Sequence, residues 1–218
     1  MATTKKVTED QIISAYMDYV LEHETTPKTA YKFTKEIKIK EEDFYQYFGS
    51  VDVIKSHIWK KFFLNTEALL LKSEDFEAAA TREKMLSFFF TFFELLTMNR
   101  SYVLFVLKEH KDVLQNLGQL KGLRSVFKDF VKGLAKAENN HKNSKFLKQS
   151  PELIAEGAWV QLLFLLKFWV DDTSSAFEKT DVAIEKSVNT IFDVFDNTPL
   201  ESILDFGKFL IKEAKTAI

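Results

Sequence analysis

Residues 39–59 read Ile-Lys-Glu-Glu-Asp-Phe-Tyr-Gln-Tyr-Phe-Gly-Ser-Val-Asp-Val-Ile-Lys-Ser-His-Ile-Trp. Phe44, Tyr47 and Phe48 are spaced i, i+3, i+4, so they share one face of a short helix. Gly49 is expected to end that helix in the left-handed conformation that glycine takes without a steric penalty. Ser50 then caps the next helix, with Asp52 in its first turn, where the helix dipole favours an acid.

Outward from this stretch the pattern is helical on both sides. Upstream, Thr8 is a plausible cap for a helix from Glu9 to Glu22, whose apolar face is Ile12, Ile13, Tyr16, Tyr19 and Val20. Thr26 followed by Pro27 reads as a cap with proline at the first helical position. The resulting helix, Pro27 to Ile37, places Ala30, Phe33 and Ile37 inward and a Lys28, Lys32, Lys35 stripe toward solvent. A third helix, Glu41 to Phe48, completes a three-helix head. A long helix from Ser50 to about Leu71 follows, with Val51, Ile54, Ile58, Phe62 and Leu69 on its main stripe. The expected domains are a head over 1–50 and a helical domain over 51–218, with 51–71 as connecting helix. Further helices are expected at Thr81–Thr97, Arg100–Leu117, Leu120–Ala135, Pro151–Val170, Asp181–Phe195 and Leu200–Ala214, with an exposed loop at 138–149. The fold class is all-α.

The composition narrows the function. Hydrophobic residues are 46% and charged residues 28%, so a globular chain with a sizeable core is expected. Six Gly and three Pro are too few for a turn-rich all-β fold. There is no Cys, which excludes disulfides, thiol catalysis and thiolate metal sites and suits a cytoplasmic location. The four His (His23, His57, His110 and His141) show no acid or second His at metal-ligand spacing, and no nucleophile or phosphate-loop motif occurs. No enzyme activity, catalytic residue, metal or cofactor is therefore expected. The apolar runs at 85–98 and 158–170 are broken by Glu94 and Lys167, so no membrane span is expected. Asp171 and Asp172 sit at a helix end and are expected to be solvated.

The aromatic run Phe44-Tyr45-Gln46-Tyr47-Phe48-Gly49-Ser50 resembles the close of the helix-turn-helix in TetR-type regulators. The late helix ending Phe168-Trp169-Val170-Asp171-Asp172 is similar in character. The resemblance implies a reading helix in the major groove, with base contacts drawn from Lys40, Glu41, Glu42, Asp43, Tyr45 and Gln46. It also implies phosphate contacts from Lys28, Tyr31, Lys32, Tyr47 and Lys55. This chain departs from the family pattern at three points. Lys40-Glu41-Glu42-Asp43 stands where a Ser-Lys-Gly-Thr-like start is usual. Lys38 lies near the turn that usually holds Gly. Residues 1–60 carry nine Lys, no Arg and ten Asp plus Glu, a net charge of 9 − 10 = −1. DNA affinity depends on phosphate neutralisation, so any operator binding is expected to be weak. As a structural alternative, Glu41, Glu42 and Asp43 serve only the dipole of their own helix.

Phe is used 22 times, mostly after residue 60. Phe88, Phe89, Phe92, Phe105, Trp159 and Leu163 are expected to meet, either as core or as the lining of an apolar pocket for a small molecule or lipid. The apolar helices at 152–170 and 181–195 are expected to form a homodimer, with Trp159, Leu162, Leu163, Leu166 and Trp169 supplying the surface. Two functions fit: a dimeric TetR-like repressor responding to an apolar molecule, or a TetR-fold protein without DNA reading that binds lipid or a protein partner. The second is similar in idea to the ubiquinone-biosynthesis lipid-binding proteins that reuse this fold.

Overall fold

The computed structural model describes residues 7–109, 113–139 and 150–197. The expected helix at Leu200–Ala214, the loop at 140–149, and His110 and His141 lie outside the described residues. Within them the chain is helical, with no strand. The helices are α1 (Glu9–His23), α2 (Ala30–Glu36), α3 (Glu41–Tyr45), α4 (Asp52–Leu70), α5 (Glu74–Ala78), α6 (Thr81–Met98), α7 (Arg100–Lys108), α8 (Val113–Gly118), α9 (Lys121–Asn139), α10 (Pro151–Asp171) and α11 (Glu178–Asn197).

The described residues pack as two compact units, the first within residues 1–68 and 92–126, the second within 69–91 and 127–218. The division falls within α4, α6 and α9, so the packing units follow a different line from the functional division expected at residue 50.

The first unit begins with a capping box. Thr8 Oγ1 accepts from the Gln11 amide at 3.3 Å and Gln11 Oε1 accepts from the Thr8 amide at 3.1 Å, satisfying two orphan donors of α1. The start of α2 differs from expectation. Thr26 donates its hydroxyl to Glu109 at 3.2 Å instead of capping, and the cap falls on Thr29, which accepts from the Lys32 amide at 3.2 Å. Pro27 and Lys28 therefore precede α2. The aromatic run packs as its spacing predicts. Phe44 and Phe48 are buried, with ring centroids 5.7 Å apart, and Phe44 meets Phe33 edge-on at 6.1 Å. Gly49, however, is not left-handed; no described glycine has a positive φ. The left-handed residue is Lys38, at φ 57° in the α2–α3 turn. Lys38 thus takes the conformation that glycine ordinarily supplies, at a cost of about 1–2 kcal/mol for a residue with a Cβ.

Along α4 the buried face is Ile54, Ile58, Trp59, Phe62 and Phe63. Leu69, expected inside, is 44% exposed, and Leu70 takes its place. Trp59 Nε1 donates to Gln119 Oε1 at 2.9 Å, and the Gln119 amide donates in turn to the carbonyls of Val106 and Asn116. Gly122 approaches Ser56 so closely that a Cβ would lie 2.8 Å from its carbonyl oxygen, and the Gly122 amide donates to Ser56 Oγ at 3.2 Å.

The second unit contains α5, which the sequence reading passed over. It spans five residues, none of them buried, so it leaves no periodic signal. Arg82 on α6 donates to Asp193 at 2.8 Å and to Asn189 at 3.4 Å on α11. At the start of α10, Ser150 accepts from the Leu153 amide at 3.3 Å with Pro151 at the first helical position, as expected. By length and composition α10 is apolar enough to cross a membrane, at mean hydropathy 1.6. Half of that span is buried inside the fold, and a core helix passes the same test.

Asp172 corrects the expectation of a solvated acid pair. It is 6% exposed. One carboxylate oxygen accepts from the Ser174 amide (2.8 Å) and hydroxyl (2.6 Å), the other from the Thr180 amide (2.9 Å) and hydroxyl (2.7 Å). Asp171 is the exposed member and pairs with Lys167.

Candidate functional site

The head is α1–α3, with α2 and α3 joined by residues 37–40. This four-residue connection contains one left-handed residue, Lys38. The buried rings of Phe33, Phe44 and Phe48 fix α3 against the rest of the head, so its outward residues are presented on a rigid support.

Of the eleven residues expected at a DNA surface, the eight other than the acids Glu41, Glu42 and Asp43 fall into two groups. Lys28 before α2, Tyr31 and Lys32 on α2, and Gln46 just after α3 are exposed, Tyr31 at 59%. The other four are engaged within the fold. Lys40 Nζ donates to Glu42 at 2.9 Å, and this hydrogen bond first, the charges of Glu42 and Asp43 second, push the Lys40 pKa up. Tyr45, also exposed, donates its hydroxyl to Glu41 at 3.2 Å. Tyr47 donates to the Val7 carbonyl at 2.9 Å. Lys55 forms an ion pair with Glu109 in which both side chains are largely buried.

Glu109 is a junction that sequence reasoning missed. It receives Lys55 from α4 and Thr26 from the α1–α2 turn, although it lies 54 and 83 residues from them. No local signal marks such a pairing. Close by, Tyr16 and Tyr102 are buried. Desolvation first, and the charge of Glu109 and neighbouring groups second, pushes both phenols well above their ordinary range. The Tyr102 hydroxyl is a buried side-chain polar atom with no partner among the described residues. His23 also has an acid neighbour that its sequence spacing hid, Glu36 at 2.5 Å.

The six residues expected to line an apolar pocket are divided between the units. In the second, Phe88 stacks at 5.3 Å from Phe127 and 5.2 Å from Phe130, and Phe127 reaches Trp159 at 6.4 Å. Phe88 and Phe89 are fully buried, Trp159 is 8% exposed and Leu163 is half-buried. A cavity of about 20 Å³ lies in this unit beside Met85, Val131 and Ile154, enough for roughly one water. In the first unit Phe92 is fully buried against Phe93, and Phe105 borders an open hollow with Thr26 and Glu109. A larger groove of about 530 Å³ in the first unit runs between α1, α4 and the α6–α7 corner, and no residue of the aromatic group lines it.

The residues expected at a dimer surface also sort differently. Trp159, Leu162, Leu166 and Trp169 point into the second unit. The outward face of α10 is instead Val160 (64% exposed), Phe164 (57%) and Phe168 (36%), with Phe164 and Phe168 in contact at 6.4 Å. This face borders a shallow hollow shared with Ala183, Ser187 and Ile191 of α11. Leu163, the fifth residue expected there, is half-buried, so the residues expected at the surface lie mostly on the buried stripe of α10.

A family model described as the tetracyclin repressor-like C-terminal domain matches residues 84–210, more than half of the chain. No curated protein matches it.

Proposed function

The chain belongs to the tetracycline-repressor-like (TetR) family, and from that premise we propose that it is a dimeric, ligand-responsive transcriptional regulator acting in the cytoplasm. The observation that carries the reading is the head. It is a three-helix unit whose α2–α3 pair has a rigid aromatic underside and an exposed row of Lys28, Tyr31, Lys32 and Gln46. These residues are suited to phosphate and groove contacts. The dimer forms through the exposed Val160, Phe164 and Phe168 face of α10 with its α11 neighbours, because an apolar surface of that kind marks an interface. Two heads on one two-fold axis then address two half-sites. A small molecule that prefers one of two arrangements of the dimer shifts the population between them. An apolar ligand among Phe88, Phe89, Trp159 and Leu163 of the second unit would have to displace rings that pack on Phe127, while Phe92 and Phe105 lie in the first unit.

A second reading, a head that no longer reads DNA, is favoured by one specific observation. Lys40, Tyr45 and Lys55 are each held by an acid of the same chain. A gel shift against the DNA upstream of the protein's own coding region, at low salt, separates the two. Retardation that weakens steeply as salt rises supports the regulator. Absence of any shift at low salt supports the second reading.

A further inference from the structure

The first unit carries two start signals for α2, three residues apart. Thr26 followed by Pro27 is a cap with proline at the first helical position. Thr29 is the cap in use: its backbone is extended, it accepts from the Lys32 amide at 3.2 Å, and α2 begins at Ala30. The earlier signal is silent because the Thr26 hydroxyl donates to one carboxylate oxygen of Glu109 at 3.2 Å. The other oxygen of Glu109 receives Lys55 of α4. On the same side of α7 stands a donor with nothing to donate to. Glu109 continues α7 with helical backbone angles, so Tyr102, seven residues before it, shares its face. Tyr102 is 1% exposed and its buried hydroxyl has no partner. Burial first, and the neighbouring Tyr16 and Glu109 after it, push this phenol well above its ordinary range, so it keeps its proton and remains a donor. A buried hydroxyl without a partner has lost its hydration with no bond in return, whereas a bond from a phenol to a carboxylate is of the strong, charge-assisted kind.

We propose that Glu109 is a conformational latch that sets where α2 begins. Engaged with Thr26 and Lys55, it holds the start at Ala30. Turned to the Tyr102 hydroxyl, it releases Thr26, which then caps a longer α2 beginning at Pro27. Proline suits that first position, having no amide to satisfy there. Lys55, once released, extends its long stem and keeps its ammonium in water. The longer helix carries Lys28 onto α2 one turn from Lys32, so the end of α7 decides which surface the head presents. That last consequence rests on the DNA-binding reading of the head; the latch itself does not.

The test is nuclear magnetic resonance of the full chain without DNA, on wild type, on Tyr102→Phe, and on Lys55→Met combined with Glu109→Leu, which frees Thr26 without leaving a buried charge unpaired. The amides of Ala30 and Tyr31 report directly: they have no intrahelical acceptor when α2 begins at Ala30 and gain one when it begins at Pro27. In the double variant, helical carbon shifts are expected at Pro27, Lys28 and Thr29, with hydrogen exchange at Ala30 and Tyr31 slowed at least tenfold. Wild type is expected to show microsecond-to-millisecond exchange in relaxation dispersion over residues 26–31, and Tyr102→Phe, which lacks the second partner for Glu109, to remove it. Extended shifts at Pro27–Thr29 with unchanged amide exchange in the double variant, no dispersion in wild type, or equal dispersion in Tyr102→Phe overturns the proposal. A failed gel shift leaves these outcomes untouched, so the two readings fail separately.

Discussion

Asp172 holds together a turn that its own backbone disfavours. Ala176 and Phe177, between α10 and α11, both have positive φ (50° and 60°) without being glycine, a conformation that persists only when surrounding contacts enforce it. The four hydrogen bonds to Asp172 from Ser174 and Thr180 supply that enforcement. Burial pushes the carboxyl pKa up, but the hydrogen bonds from Ser174 and Thr180 outweigh it and hold the group below the ordinary carboxylate range. A carboxyl with a depressed folded pKa contributes stability that is present above its unfolded value, near about 4, and is lost as pH falls through the folded value. Acid unfolding of wild type should therefore steepen below about pH 4, and Asp172→Asn should be less stable at neutral pH with a flatter acid limb; circular dichroism melts across pH check this. Lys55 and Glu109 make a second residue-scale case. Removing one partner of a buried ion pair costs about 3–5 kcal/mol, whereas replacing both by apolar groups is close to neutral. Glu109→Ala should lose that much in urea unfolding, and Lys55→Met with Glu109→Leu should recover most of it. If Lys55 instead contacts phosphate, Lys55→Met would lower the salt dependence of DNA binding and leave stability alone. Phe88→Ala, within the Phe127, Phe130 and Trp159 stack, should cost about 3–5 kcal/mol through the cavity it leaves.

α3 is the element on which the functional reading turns. It is five residues long and opens with Glu41, Glu42 and Asp43, and two of those acids hold Lys40 and Tyr45. Replacing Glu41 with Lys and Glu42 with Gly should strengthen nonspecific DNA binding and steepen its salt dependence, because each added phosphate contact contributes a slope of about 0.9. An unchanged slope in anisotropy titrations would mean that α3 does not approach the duplex. At this scale the sequence was legible where local chemistry alone decides. The Thr8–Gln11 capping box, the Ser150-Pro151 start and the Phe44, Phe48 face all follow from residues three or four apart. Illegible were the places where a distant residue competes for a local one. Thr26 leaves its capping role for Glu109, 83 positions away, so α2 starts three residues later than its Thr-Pro signal indicates. Lys38 is left-handed because the turn requires it, although nothing in a lysine announces this. The buried stripe of α10 was not legible because a helix apolar around most of its circumference does not tell inside from outside; only packing does.

For the whole molecule, the family and the all-α fold follow from patterns spread along the chain, while the sites depend on long-range pairings. The candidate DNA surface consists of the four exposed residues that no acid holds, and the aromatic group expected to line one pocket is divided between two packing units. What joins the levels is the claim that the exposed α10 face pairs two chains and so sets two heads on one DNA site. Phe164→Glu places a charge at the centre of that face, away from the core that Trp159, Leu162 and Trp169 form, so it should leave the monomer folded. The most direct measurement is fluorescence anisotropy of a labelled duplex from the protein's own upstream region, titrated at several salt concentrations with wild type and with Phe164→Glu, alongside sedimentation of both proteins. The account predicts a wild-type dimer that binds with a steep loss of affinity as salt rises, and a monomeric Phe164→Glu that binds at least tenfold more weakly at the same salt. A wild-type protein that sediments as a monomer, or a monomeric Phe164→Glu that binds the duplex as tightly as wild type, would contradict it.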